Sequence, residues 1–444
     1  ETLDHTDAQQ LKSGQNIYGQ GMWAASLRYH EGRFYICFVA NDTRKTYLYT
    51  SEKIDGPWKK QLIEGFYHDG SLLFDEDGRN YIVYGNDEIW ITELNEDLTA
   101  PKKDGLHRLL VSDHKNPELG YEGSHIQKIN GYYYIFLIHS LRDRWMRTEA
   151  CFYSDSLEGE FTGGDVLCDD RGYCGQGVAQ GGIVDTPDGK WYAMLFQDSG
   201  AVGRLPILLP VTWKDHFPVF GQNGHVPEEI EVHSTRPGYI YQPLVGSDDF
   251  CNGLLPRWQF NHDPDPRYYH LDALQGTYTI TTREVCTELT QAVNTLTQRM
   301  SYPSCAAEVT VDASALKEGD VAGLCAFQGC YAAVGITKHH GKYEVLMLDK
   351  KEDGILDMTE GTVVESHQMD FRLEADFCNM KDEARCYYRV NKGDWLPIGT
   401  VHKLYFKLDH FTGCRFGLFC YAAEETGGSA CFRDFKYYDV DEIS

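Results

Sequence analysis

The sequence predicts an all-β protein in which a radial array of small antiparallel sheets is followed by a β-sandwich. Three observations carry this expectation. The 444 residues include 43 Gly, 29 Tyr and 21 Phe with few long apolar helical stripes, a composition suited to strands and tight turns. A glycine-centred hairpin recurs four times in the first half. Beyond about residue 240, short alternating strands continue without that repeat.

Trp23, Asp69, Glu122 and Gln180 each stand nine residues before the glycine of one such hairpin: Gly32, Gly78, Gly131 and Gly189. An outgoing strand (AASLRYH, SLLFD, SHIQKI, GGIVD) meets an EG, DG, NG or DG turn, a strong hairpin signal. The return strands are RFYICFVA, NYIVYG, YYYIFLIH and WYAMLFQ, and a third apolar strand follows each: TYLYTS, EIWITEL, EACFYS and RLPILLPV. A fourth, outer segment ends three of the units near an aromatic, at Trp58, at Phe161 and between Trp213 and Phe217. Four short strands per roughly 40–60 residues is the pattern of a propeller blade. The common register implies one structural place for the four named residues, so that two carboxylates converge on one axis.

Four blades are legible between residues 21 and 221, and residues 1–20 read as the trailing edge of an earlier unit. The alternatives are a four-bladed propeller or a five-bladed one whose first blade is largely missing from this chain. The abrupt opening favours the second. PEEIEVHSTRPGYIYQPLVGSDDF, with three prolines, reads as a linker and a leading strand. The strands after it, from YTITT through AAEVTVDA, VAGLCAFQ and FGLFCY to CFRDFKYYDV, suggest a β-sandwich. The expected domains are therefore a propeller over 1–240 and a sandwich over 241–444.

A formal charge of −26 argues against nucleic acid and anionic membrane surfaces as partners, since both need a basic patch. No run approaches the ~20 apolar residues of a membrane span. Many of the 14 cysteines, Cys37, Cys325 and Cys420 among them, lie inside apolar strand runs, where a thiol acts as a small hydrophobe. They do not read as a disulfide framework, and a reducing compartment fits them better. With neither Met nor a signal peptide at its start, the chain is expected to begin inside a longer protein. The sequence leaves the oligomeric state open.

Asp69 and Glu122 are the leading catalytic candidates. A carboxyl among apolar strands and beside another carboxyl has a raised pKa, stays protonated near neutral pH and can donate to a leaving-group oxygen. A glycosidase needs that acid and a second carboxylate. Trp23 offers a platform for a sugar ring. Arg204 can pin a sugar hydroxyl or hold a carboxylate ionised. His68 and His125 flank the acids as hydrogen-bond partners, and Gln180 fills the last register position. Zinc held by the histidines lacks the usual helical spacing, so no metal site is assigned.

The segments GMWAASLRYHEGRFYICF, FYHDGSLLFDEDGRNYIVYG, GYEGSHIQKINGYYYIF and AQGGIVDTPDGKWYAMLFQDSGAVGRLPILLPVTW resemble the five-bladed propeller of glycoside hydrolase family 43. The stretch from SDDF through RWQFNHDPDPRYYHL and NTLTQRM to CFRDFKYYDV is similar to the concanavalin-like sandwich appended to its β-xylosidase and α-L-arabinofuranosidase members. The resemblance implies an inverting, exo-acting hydrolase that releases arabinose or xylose from small hemicellulose-derived oligosaccharides. It makes Glu122 the general acid, Asp69 the residue that orients and tunes it, and Trp23 and Arg204 substrate-binding residues, with His68 and Gln180 beside them. Two departures stand out. The family's general base, an Asp in the first blade, has no counterpart here, since Asp4 and Asp7 lie in a polar segment; activity of this chain is expected to be impaired. Ser199 stands where relatives tend to carry a His that organises water or calcium on the axis. No cofactor is required, a structural calcium is the one metal the resemblance leaves open, and Ser199 weakens the case for it. The alternative is a degenerate propeller that binds carbohydrate without cutting it.

Overall fold

The computed structural model describes residues 4–410 and 412–439. The chain separates into two compact units. One comprises Gln20–Asp198 and Arg204–Thr235; the other comprises Arg236–Ser444 together with Glu1–Gly19 and Ser199–Gly203.

The first unit holds four four-stranded antiparallel sheets, each laid down in chain order. Sheet one is β1 (Ser26–His30), β2 (Arg33–Ala40), β3 (Lys45–Ser51) and β4 (Lys59–Ile63). Sheet two is β5 (Ser71–Phe74), β6 (Asn80–Asn86), β7 (Glu88–Leu94) and β8 (His107–Ser112). Sheet three is β9 (Glu122–Ile129), β10 (Tyr132–Ser140), β11 (Arg147–Ser154) and β12 (Thr162–Leu167). Sheet four is β13 (Ala179–Asp185), β14 (Trp191–Asp198), β15 (Arg204–Lys214) and β16 (Phe217–Phe220). These are the four expected blades, in a propeller-like arrangement; the described residues form no fifth.

The hairpin glycines do what their spacing implies. Gly32, Gly78, Gly131 and Gly189 have φ of 79°, 80°, 85° and 78°, a region that side chains other than glycine enter at a cost. The first and third turns are two-residue turns with positive φ at both positions, Glu31-Gly32 and Asn130-Gly131. The second and fourth are longer, closed by Asp75 N–H to the Arg79 carbonyl and Thr186 N–H to the Lys190 carbonyl.

Apolar side chains fill the seams between successive sheets. Cys37, Leu48, Leu72 and Ile82 join sheets one and two, Val83, Ile91, Ile126 and Ile135 join two and three, and Phe136, Cys151, Ile183 and Leu195 join three and four. Each full burial of such a side chain is worth about 1.5–3 kcal/mol, so the seams set the blade positions. Sheets one and four also carry large exposed apolar groups: Leu27 and Tyr29 on β1, Val184 on β13 and Met194 on β14.

Arg28 ties three inner strands together. Its guanidinium donates to the Leu72 carbonyl at 3.0 Å, to Ser71 Oγ at 2.6 Å and to the Ile126 carbonyl at 3.1 Å. Burial lowers its pKa to about 10.

The second unit is a sandwich of an eight-stranded and a seven-stranded antiparallel sheet. Asp320–Phe327 of one packs on Gln368–Asp376 of the other. All the strands named from the sequence are present. The proline-rich stretch forms no leading strand, making only an isolated bridge between Asp248 and Phe435. Residues 4–19 form no strand. Their polar groups are satisfied within the sandwich unit: Tyr18 Oη donates to the Thr290 carbonyl at 2.6 Å, and Ser13 N–H to Glu284 Oε2 at 2.9 Å. The expected limits of 1–240 and 241–444 thus differ from the compact units in this segment, in the Ser199–Gly203 excursion, and by a few residues at Thr235/Arg236. All 14 cysteines are free thiols. Among the described residues no helix is long and apolar enough to cross a membrane.

Candidate active site

The register that aligns Trp23, Asp69, Glu122 and Gln180 proves to be a repeated β-bulge, with one correction. Between paired positions, Asp69 and Gly70 face the single residue Tyr84, Gly123 and Ser124 face Leu137, and Gln180 and Gly181 face Leu195. The first residue of each bulge is left-handed: Asp69 at φ 49°, Gly123 at 66° and Gln180 at 61°. The equivalent of Asp69 is therefore Gly123, and Glu122 stands one residue earlier. The shorter turn at Asn130-Gly131 accounts for the offset. Glu122 consequently projects from the strand end while its neighbour's N–H turns toward sheet two.

That N–H, on Gly123, donates to Asp69 Oδ2 at 3.1 Å. Ser124 Oγ lies 2.8 and 2.9 Å from the carbonyl oxygens of Asp69 and Val83, which share its one proton. Glu122 Oε2 accepts from Asn86 Nδ2 at 2.9 Å. His68 Nε2 lies 3.7 Å from Asp69 Oδ2 and 4.0 Å from Glu122 Oε2. The ring of Trp23 sits 5.8 Å from that of His68. Ligand atoms of His68, Asp69 and Glu122 all fall within 4.8 Å of one another.

A second charged group comes from sheets three and four. Asp198 Oδ2 meets Arg147 at 2.9 Å, and Oδ1 meets Arg204 at 3.3 Å. Both guanidiniums lean on Phe196, at 5.7 and 4.4 Å from its centroid. Behind them, Glu149 Oε2 accepts the backbone N–H of Gln180 at 2.7 Å. The side chain of Gln180 lies against Gly123, where a Cβ would come within 2.6 Å of Gln180 Nε2.

The electrostatics follow from burial. Desolvation raises the Glu122 pKa, and the neighbouring Asp69 raises it further, against the pull of His68, Arg147 and Arg204. Asp69 is raised by burial as well, opposed by His68, the Gly123 N–H and Arg204. The side chain of Asp69 is 7% exposed and that of Glu122 22%, so Glu122 is the acid open to a bound molecule. The like charge of two neighbouring carboxyls works against their ionising together.

Residues 2–218 match the model for glycosyl hydrolases family 43, and residues 247–438 match that for the beta xylosidase C-terminal concanavalin A-like domain. The chain belongs to glycoside hydrolase family 43. Over 337 residues it is 28% identical to a putative beta-xylosidase of Xylanibacter ruminicola, covering 72% of this chain and 61% of the relative. A beta-xylosidase of Formosa agariphila is 25% identical over 488 residues, covering 96% and 78%. Among solved structures, the bifunctional GH43-CE protein of Bacteroides eggerthii superposes with a TM-score of 0.90 at 41% identity. That match covers 99% of this chain and 57% of the solved one, so the chain spans little more than half the length of that family 43 protein.

Glu122, Asp69, Trp23, Arg204, His68 and Gln180 all lie in this one unit. His125 does not join them. It packs on Gly182, burial and Arg28 lower its pKa to about 3, and it hydrogen-bonds neither acid. Ser199 belongs to the sandwich unit, where its N–H donates to the Gly203 carbonyl. Asn86, Arg147, Glu149 and Asp198 escaped sequence reasoning. A usable signal existed for Arg147 and Glu149, two charges inside the otherwise apolar strand RTEACFYS.

Proposed function

We propose that the protein is an inverting, exo-acting glycoside hydrolase that releases arabinose or xylose from hemicellulose-derived oligosaccharides. The observation that carries this is the Glu122–Asp69 pair, its carboxyls raised in pKa by burial and tied together through the Gly123 N–H. Glu122, the more open carboxyl, protonates the glycosidic oxygen as the bond to the anomeric carbon breaks. Asp69 raises its pKa by like charge and fixes its backbone. Trp23 with His68 offers a face for the pentose ring, and Arg204 and Arg147, held by Asp198, supply donors for its hydroxyls. Gln180 lines the site beside Gly123. No metal is given a role.

Inversion also needs a carboxylate that activates water on the opposite face of the sugar, about 6.5–9.5 Å from the acid. We assign that base to no described residue and place it on a fifth blade. The exposed Leu27 and Tyr29 on sheet one, and Val184 and Met194 on sheet four, support such a blade, since it would cover them. The named activity of the xylosidase relatives is consistent with a pentose as the released sugar.

The deciding experiment assays the full-length protein and E122Q on xylo- and arabino-oligosaccharides, following the anomer released by NMR. Inverted product, and a loss on the order of 10²-fold or more in E122Q, are expected. Pentose binding by calorimetry with no turnover would favour a sugar-binding propeller instead, and unchanged turnover in E122Q would remove Glu122 from the role of acid.

A further inference from the structure

Glu149 is a buried carboxyl for which the acid–base chemistry above has no use. It sits on β11, paired in register with Ile138 on one side and Leu167 on the other. Its Oε2 accepts the Gln180 N–H at 2.7 Å, and its Oε1 has no partner among the described residues. Cys151, two residues on, is the titratable group beside it, and Arg147, two residues back, is committed to Asp198. An apolar side chain between Ile138 and Leu167 would avoid the cost of burying a half-satisfied carboxyl. What the carboxyl does, and an apolar side chain does not, is accept a hydrogen bond from a residue in a left-handed conformation.

That residue leads straight to the acids. Gln180 holds φ 61°, a conformation that costs a non-glycine residue and persists where its surroundings hold it. Its side chain fills the space above Gly123, with Nε2 2.6 Å and Cγ 2.7 Å from where a Cβ would stand. Gly123 in turn directs its N–H at Asp69 Oδ2 and is bonded in the chain to Glu122. We infer that Glu149 is a positioning residue for the acid pair, acting through the Gln180 backbone and side chain on the orientation of Gly123. Burial raises the Glu149 pKa well above the usual carboxylate range. An amide serves equally well; an alkyl or thioether chain does not.

The inference rests on the hydrolase reading, and its test separates the two. In the full-length protein, E149M lowers kcat on the order of 10²-fold while KM moves much less, since misplacing a reacting group by about an ångström has that effect. Its pH–rate profile shifts because Asp69 loses a well-aligned donor. E149Q retains most of wild-type kcat and the wild-type profile. Hydrogen exchange measured by mass spectrometry needs no turnover: peptides containing Gln180 and Gly123 exchange faster in E149M and at wild-type rates in E149Q. Should E149M fail to fold, Q180A is expected to loosen the Gly123 peptide alone. Wild-type exchange at Gly123 in E149M or Q180A, or an E149Q as impaired as E149M, would overturn the inference. An inert wild-type protein with the stated exchange pattern would sink the hydrolase reading and leave the link from Glu149 to Gly123 standing.

Discussion

Gly123 gives its backbone N–H to Asp69 Oδ2 at 3.1 Å, so the residue next to one acid is a ligand of the other. Moving either carboxyl therefore disturbs both. In D69N the like charge that raises Glu122 is gone, and Glu122 loses its proton at lower pH. Because Glu122 must be protonated to act, the basic limb of kcat/KM against pH moves to lower pH, with kcat down on the order of 10²-fold. A basic limb in the wild-type position would show that Asp69 does not tune the acid.

Asn86 has the opposite sign. Its amide donates to Glu122 Oε2 at 2.9 Å, and a donor favours the ionised form. N86A should shift the basic limb to higher pH and lower kcat by roughly tenfold as the acid loses an anchor. Profiles of D69N and N86A measured side by side should diverge in opposite directions.

Leaving-group dependence isolates the role of Glu122. An aryl pentoside with an acidic phenol needs little protonation, whereas an oligosaccharide needs it fully. E122Q is expected to lose far more activity on xylobiose than on a dinitrophenyl pentoside. Equal losses on both would point to a defect in binding.

Asp198 is expected to matter for stability before chemistry. It is buried between Arg147 and Arg204, and its removal takes from Arg147, itself only 10% exposed, the carboxylate it is paired with. Breaking such a pair costs about 3–5 kcal/mol. Urea unfolding of D198N reads this directly; a change below about 1 kcal/mol, the range of exposed pairs, would mean the pair is effectively solvated.

Glu149 makes the stability of the folded protein fall as pH rises above the ordinary carboxyl range. Its folded pKa is raised, so its contribution to stability is complete below the unfolded carboxyl pKa and is lost as pH rises toward the folded value. Across that window the wild type should lose about 1.4 kcal/mol per pH unit relative to E149Q. Melting temperatures of the two proteins recorded from mildly acidic to alkaline pH should converge at the acid end and separate above it.

The blades were legible because each repeats a local signal, a glycine at φ near 80° behind an alternating strand, that needs no long-range information. The acids were legible for the same reason: they stand at fixed distances from those turns. The one-residue offset of Glu122 was not, since the turns at Gly78 and Gly131 look alike in sequence yet close loops of different length. Arg147, Asp198 and Asn86 sit at the ends of second and third strands, where no shared spacing marks them, and only the packing of sheets three and four brings the first two together. Residues 4–19 read as a blade edge because they are polar and loop-like. Their partners, Glu284, Thr290 and His262, lie more than two hundred residues away in the chain.

Arg28 has a consequence for how the blades respond to change. By bridging Leu72, Ser71 and Ile126, further along the same inner strands that begin beside Asp69 and Glu122, it makes one guanidinium common to sheets one, two and three. A shift in any one of these strands strains its bonds to the other two, so damage to a single blade is passed to the strands that carry both acids.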